Sequence, residues 1–106
     1  MYPFTLVKVN DTAAAIKSAS GNEHAKFIGG GTNLVDLMKM NIEKPEKLID
    51  LNRLALKKIE KLSNGNILVG ALVTNTDLAY HPLIRSHYPL LSEAILAGAS
   101  PQLRNV

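Results

Sequence analysis

Three glycines in succession, Gly29, Gly30 and Gly31, stand between an apolar run and a polar pair in "FIGGGTNLVDLMKMN", residues 27–41. The whole chain has only seven glycines, so three together mark a place where the backbone turns sharply or is closely approached. Without Cβ atoms such residues can take φ > 0, and successive N–H groups can then point to one side. The result is an anion-binding concavity, reinforced by the free N–H groups of a helix that starts just beyond it. Thr32 and Asn33 add side-chain donors at the same spot. A phosphate suits this chemistry, as does the pyrophosphate of a dinucleotide. The alternative is a strand-to-helix turn that binds nothing. One glycine would serve that purpose, and each further one costs about 0.5–1 kcal/mol relative to alanine.

The spacing narrows the phosphate ligand. A nucleotide-binding loop of the Gly-x-x-x-x-Gly-Lys-Ser/Thr type is absent, because neither the second glycine nor the lysine follows. The dinucleotide pattern Gly-x-Gly-x-x-Gly is met by Gly29 and Gly31, but Leu34 stands at its third glycine. Asp50 lies late in a predicted strand, where the ribose-binding acid of that pattern would stand. A nicotinamide-dinucleotide domain using Gly29, Gly31 and Asp50 is therefore one alternative, and a non-catalytic interaction module is another.

Other reactive side chains form no constellation. His24, His81 and His87 lack metal-ligand spacing. Glu43, Glu46 and Asp50 make no acid–base pair, and the serines lack a nucleophile-elbow context. Asp36 reads as a capping acid. Arg104 can meet a phosphate or carboxylate, or pair with a neighbouring subdomain. No catalytic residue and no metal ligand is expected.

The elements that position the glycines alternate. Residues 4–9 read as a strand, residues 10–21 as a helix capped by Asp11 or Thr12 and ended by Gly21, and residues 25–28 as a second strand running into the glycines. Leu34, Leu37, Met38 and Ile42 share one helical face beyond them, with Asn33 as N-cap answered by Asp36. Residues 47–51 read as a third strand, and residues 58–72 as a hairpin about Asn64-Gly65. Thr74 or Thr76 caps a short helix through Tyr80 that Pro82 interrupts. Pro89 opens another helix, closed by Gly98. The last residues, "SPQLRNV", read as the start of a strand. Strands alternating with helices predict an α/β or α+β domain.

The composition is that of an ordinary globular chain: 106 residues, 46% apolar and 20% charged. There is no cysteine, so disulfides, thiolate zinc, iron–sulfur ligation and a cysteine nucleophile are excluded within it. The net charge of +3 is scattered, with 5% aromatic residues, which gives no nucleic-acid surface. No apolar stretch approaches the ~20 residues a membrane helix needs, and residues 1–10 lack the features of a signal peptide.

Three stretches together carry a family resemblance. "KFIGGGTNLVDLMK" resembles the first pyrophosphate loop of the FAD-binding subunits of molybdenum hydroxylases, of the xanthine dehydrogenase, aldehyde oxidoreductase and carbon monoxide dehydrogenase types. "VGALVTNTDLA" resembles the segment those proteins carry after their central hairpin, and "AGASPQLRNV" the stretch leading to their second glycine-rich loop. The resemblance implies the N-terminal subdomain of the two-subdomain FAD-binding fold shared with vanillyl-alcohol oxidase relatives. It implies that Phe27, Ile28, Gly29, Gly30, Gly31, Thr32, Asn33 and Leu34 form the first loop, with Gly98 near the flavin. The second loop, Thr-x-Gly-Gly-Asn, is expected just past Val106, so residues 1–106 read as the N-terminal part of a longer FAD-binding domain. By the same resemblance, a large molybdenum-cofactor subunit and a small iron–sulfur subunit are the partners. FAD would pass their electrons to NAD+, oxygen or a protein acceptor. The expected compartment is the cytoplasm, or the periplasm by co-export with a partner.

Overall fold

The computed structural model describes residues 1–105, which divide after Ala55 into two compact units. The first unit holds β1 (Thr5–Lys8), α1 (Thr12–Ala19), β2 (Ala25–Ile28), α2 (Thr32–Lys39) and β3 (Lys47–Asp50). Its strands form a parallel sheet in the order β1-β3-β2. The first crossover thus passes over the place later filled by β3, and the second returns to it. Because parallel crossovers are right-handed, α1 and α2 fall on opposite faces of the sheet.

The side chains agree with this. Lys47 and Ile49 share one face of β3, and the Lys47 Nζ donates to the Ser18 carbonyl of α1 at 3.0 Å. Leu48 takes the other face, together with Ile28 of β2, whose side chain packs beneath the turn into α2. Leu48 and Ile49 are both buried, the mark of a central strand covered on two sides. Met38 is the buried anchor of α2 and Ala15 that of α1. Of the expected apolar face after the glycines, Ile42 is exposed, because α2 ends at Lys39.

Local chemistry accounts for the ends. Asp11 caps α1 by accepting from the Ala14 N–H at 2.7 Å, and Gly21, at φ +74°, turns the chain afterwards. In the second unit, β4 (Ile59–Lys61) and β5 (Ile67–Val69) pair antiparallel about a turn in which Gly65 takes φ +87°. Then follow α3 (Asn75–Tyr80), α4 (Pro82–His87), α5 (Pro89–Gly98) and α6 (Pro101–Arg104). Thr74 caps α3, as expected. The buried Ser92 hydroxyl of α5 donates to the Ala79 carbonyl at 2.6 Å, which gives it a structural role.

As expected, α3 stops at Tyr80 ahead of Pro82, and Pro82 then begins α4, with His81 Nδ1 accepting the Leu83 N–H as cap. One expectation fails here. Residues 101–104 form helix α6, not a strand, with the Ser100 hydroxyl as its cap; Val106 lies outside the described residues. In both places proline stands at the first helical position, where its missing N–H costs nothing and its fixed φ suits the helix.

Candidate glycine-loop site

The three glycines leave the carboxyl end of β2, where parallel sheets receive ligands. Phe27 and Ile28 are strand residues on opposite faces, and Thr32, Asn33 and Leu34 are the first turn of α2. Only residues 29–31 are loop. Among the described residues, Gly31 alone of the three takes φ > 0, at +78°. A Cβ there would sit 3.0 Å from Ile28 Cδ1 and 3.2 Å from Val35 Cγ2. Gly31 is therefore a folding requirement. Gly30 is exposed and does not take φ > 0.

Asn33 is not the N-cap. The Gly31 carbonyl accepts the Val35 N–H at 2.9 Å, so the helix starts before Asn33, and Asp36 lies beyond its first turn. The capping position thus falls to a residue without a side chain. Asp11, Thr74, His81 and Ser100 cap their helices with side chains, whereas among the described residues no side chain caps α2 or α5, and only α2 follows a run of glycines. The N–H groups of Thr32, Asn33 and Leu34 find no acceptor among the described residues. No acidic residue stands in that first turn, so the positive end of the helix dipole is unopposed. A bare glycine backbone followed by uncapped donors fits the pyrophosphate of a dinucleotide.

Sequence reasoning missed a participant at the end of β3. Asn52 donates its side-chain amide to the Gly29 carbonyl at 3.0 Å and to Asp50 Oδ1 at 2.7 Å. Its backbone N–H also donates to Asp50 Oδ1, at 2.9 Å. This is an Asx turn, and the spacing Asp-x-Asn after an apolar strand could have signalled it. The Asn52 backbone N–H, foremost, holds the Asp50 carboxyl below its usual range. The Asn52 side-chain amide and the charges of Lys8 and Arg53 act in the same sense, against the opposing effect of partial burial. One Asp50 oxygen is thus committed to the turn, which weakens its expected use as a ribose ligand.

Gly98 ends α5 in the second unit, and a Cβ there would meet open space. Arg104 is buried, and its Nε has no acceptor among the described residues. The three histidines gather no metal-ligating set among those residues.

Comparison with known proteins identifies the family. Residues 2–106 match the FAD binding domain in molybdopterin dehydrogenase. The chain is 56% identical over 105 residues to the aldehyde oxidoreductase FAD-binding subunit PaoB of Escherichia coli, which covers 99% of the chain and 33% of that relative. It is 34% identical over 93 residues to the carbon monoxide dehydrogenase medium chain of Hydrogenophaga pseudoflava, covering 88% of the chain and 32% of that relative. The solved carbon monoxide dehydrogenase of that organism superposes with a TM-score of 0.90 at 31% identity, over 97% of this chain and 36% of its counterpart. The chain thus spans about a third of the length of these relatives. The nicotinamide and interaction-module alternatives give way, and the expected α/β fold stands. With strand, glycine turn and uncapped helix in place, the chain belongs to the FAD-binding domain family of the molybdopterin dehydrogenases.

Proposed function

We propose that this chain supplies one side of an FAD site, with residues 29–33 receiving the pyrophosphate and Phe27, Ile28 and Leu34 shaping the loop around it. The uncapped first turn of α2 carries this reading: three N–H donors without acceptors among the described residues follow a backbone free of side chains. Thr32 and Asn33 can add side-chain hydrogen bonds at the same place. Gly98 offers a second, side-chain-free approach to the cofactor. FAD, when bound, supplies electron transfer, while the protein binds, orients and shields it.

The electron path extends the same reading. A large molybdenum-cofactor subunit and a small iron–sulfur subunit deliver electrons to the flavin, which hands them to NAD+, oxygen or a protein acceptor. The 56% identity to an aldehyde oxidoreductase subunit makes an aldehyde the first substrate class to try. No helix among the described residues is long and apolar enough to cross a membrane. We place the assembly in the cytoplasm; a signal on a partner subunit would instead carry it to the periplasm, and fractionation separates the two. The functional test is anaerobic addition of an aldehyde to the purified complex that carries this chain. Bleaching of the flavin absorbance supports the proposal. Flavin that stays oxidised while the iron–sulfur chromophore is reduced contradicts the electron path.

A further inference from the structure

We infer that Asn52 is a positioning residue that sets the polarity of the Gly29–Gly30 peptide, turning its carbonyl away from the pyrophosphate and its N–H toward it. The inference rests on the FAD reading above and deepens it.

The peptide joining two glycines meets little steric resistance to rotation, so both of its orientations are open to the backbone. In a trans peptide the C=O and N–H point in opposite directions, and the described residues contain no cis bond. Fixing one group therefore fixes the other. The Asn52 amide holds the Gly29 carbonyl at 3.0 Å, at the end of β3, which sends the Gly30 N–H the opposite way. Flipped, the same peptide would present a carbonyl oxygen to an anion, exchanging an attraction for a repulsion.

Asn52 is itself held in place. Its second amide hydrogen and its own backbone N–H converge on Asp50 Oδ1 at 2.7 and 2.9 Å. Asp50 is anchored in turn by the strand register, opposite Lys8 on one side and Ile28 on the other. The ladder continues one step further, with the Leu51 N–H donating to the Ile28 carbonyl at 3.0 Å. Both amide hydrogens of Asn52 are thus spent, and the backbone of the central strand determines how the glycine loop faces.

The test uses the full-length protein carrying this chain, freed of flavin and titrated with FAD by fluorescence quenching. Asn52→Ala removes the donor, and the affinity for FAD is expected to fall about tenfold, on the scale of one hydrogen bond. Asn52→Asp keeps the shape but sets a carboxylate against the Gly29 carbonyl, so the loss is expected to be larger. Beside Asp50 the new carboxyl titrates above its ordinary range, and once protonated it donates again. The affinity of Asn52→Asp relative to wild type should therefore recover on acidification, which a packing role for Asn52 would not produce. Circular dichroism confirms that both variants are folded. Wild-type affinity in Asn52→Ala overturns the inference and leaves the FAD reading standing, as does a deficit in Asn52→Asp that is the same at every pH. Failure of the wild-type protein to bind FAD overturns the reading beneath it.

Discussion

Replacing Gly31 by alanine separates two costs that the structure assigns to one position. Gly31 takes φ +78°, which an L-residue adopts at about 1–2 kcal/mol. Its Cβ would also stand 3.0 Å from Ile28 Cδ1 and 3.2 Å from Val35 Cγ2. Both neighbours are side-chain ends that can yield by a few tenths of an ångström, so the crowding adds about 1 kcal/mol, the low end for overpacking. Gly21 is the control. Its φ is +74°, but a Cβ there meets nothing within 4 Å. Gly31→Ala is therefore expected to cost about 2–3 kcal/mol and Gly21→Ala about 1–2 kcal/mol. Urea unfolding of the flavin-free protein measures both, with the slope checked for constancy. Gly21→Asn should recover part of its loss, since asparagine tolerates the left-handed region. A Gly31→Ala variant no less stable than Gly21→Ala would refute the packing of Ile28 and Val35 against the turn.

The remaining expectations concern the second unit and pH. Gly70→Ala places a Cβ against the Leu56 carbonyl, a backbone atom that cannot swing aside. The bonds from Leu72 N to Leu56 O and from Gly70 N to Lys58 O must open, costing about 2–3 kcal/mol in chemical denaturation; a neutral effect would contradict that close approach. Asp50 has a folded-state pKa below its ordinary 3.8, so its stabilising contribution is complete above that value and is lost as pH falls through the lower one. Stability measured from about pH 5 downward should drop less steeply in Asp50→Asn than in wild type, and parallel curves would show that the Asn52 turn does not hold the carboxylate.

Much of this architecture was legible because single residues carried it. Asn64-Gly65 announced the hairpin, "AKFI" the strand β2, and Asp11 the start of α1. The break before Pro82 is where the sequence places it, but the strand expected at the chain's end is a helix, because Pro101 preceded by a capping Ser100 starts one. Asn33 drew the capping role because its side chain suits it, yet the backbone gives the position to Gly31, and the empty cap is what leaves donors for a ligand. The Asp-x-Asn spacing signals the Asn52 turn but not its contact with the glycine loop. The bond from Asn52 to Gly29 spans 23 residues and exists only because β3 inserts beside β2 in register. Local patterns do not carry contacts that a crossover creates.

The central claim is that a phosphate approaches the bare backbone at Gly30, and the FAD-to-protein ratio of the purified Gly30→Val protein tests it most directly. Gly30 is exposed and free of the φ > 0 constraint, so valine requires no left-handed backbone there while its branched Cβ occupies the approach. The account predicts a folded protein with FAD reduced at least tenfold, about 1.4 kcal/mol or more in binding, beside a wild type that retains it. A folded Gly30→Val protein holding as much FAD as wild type would contradict the account.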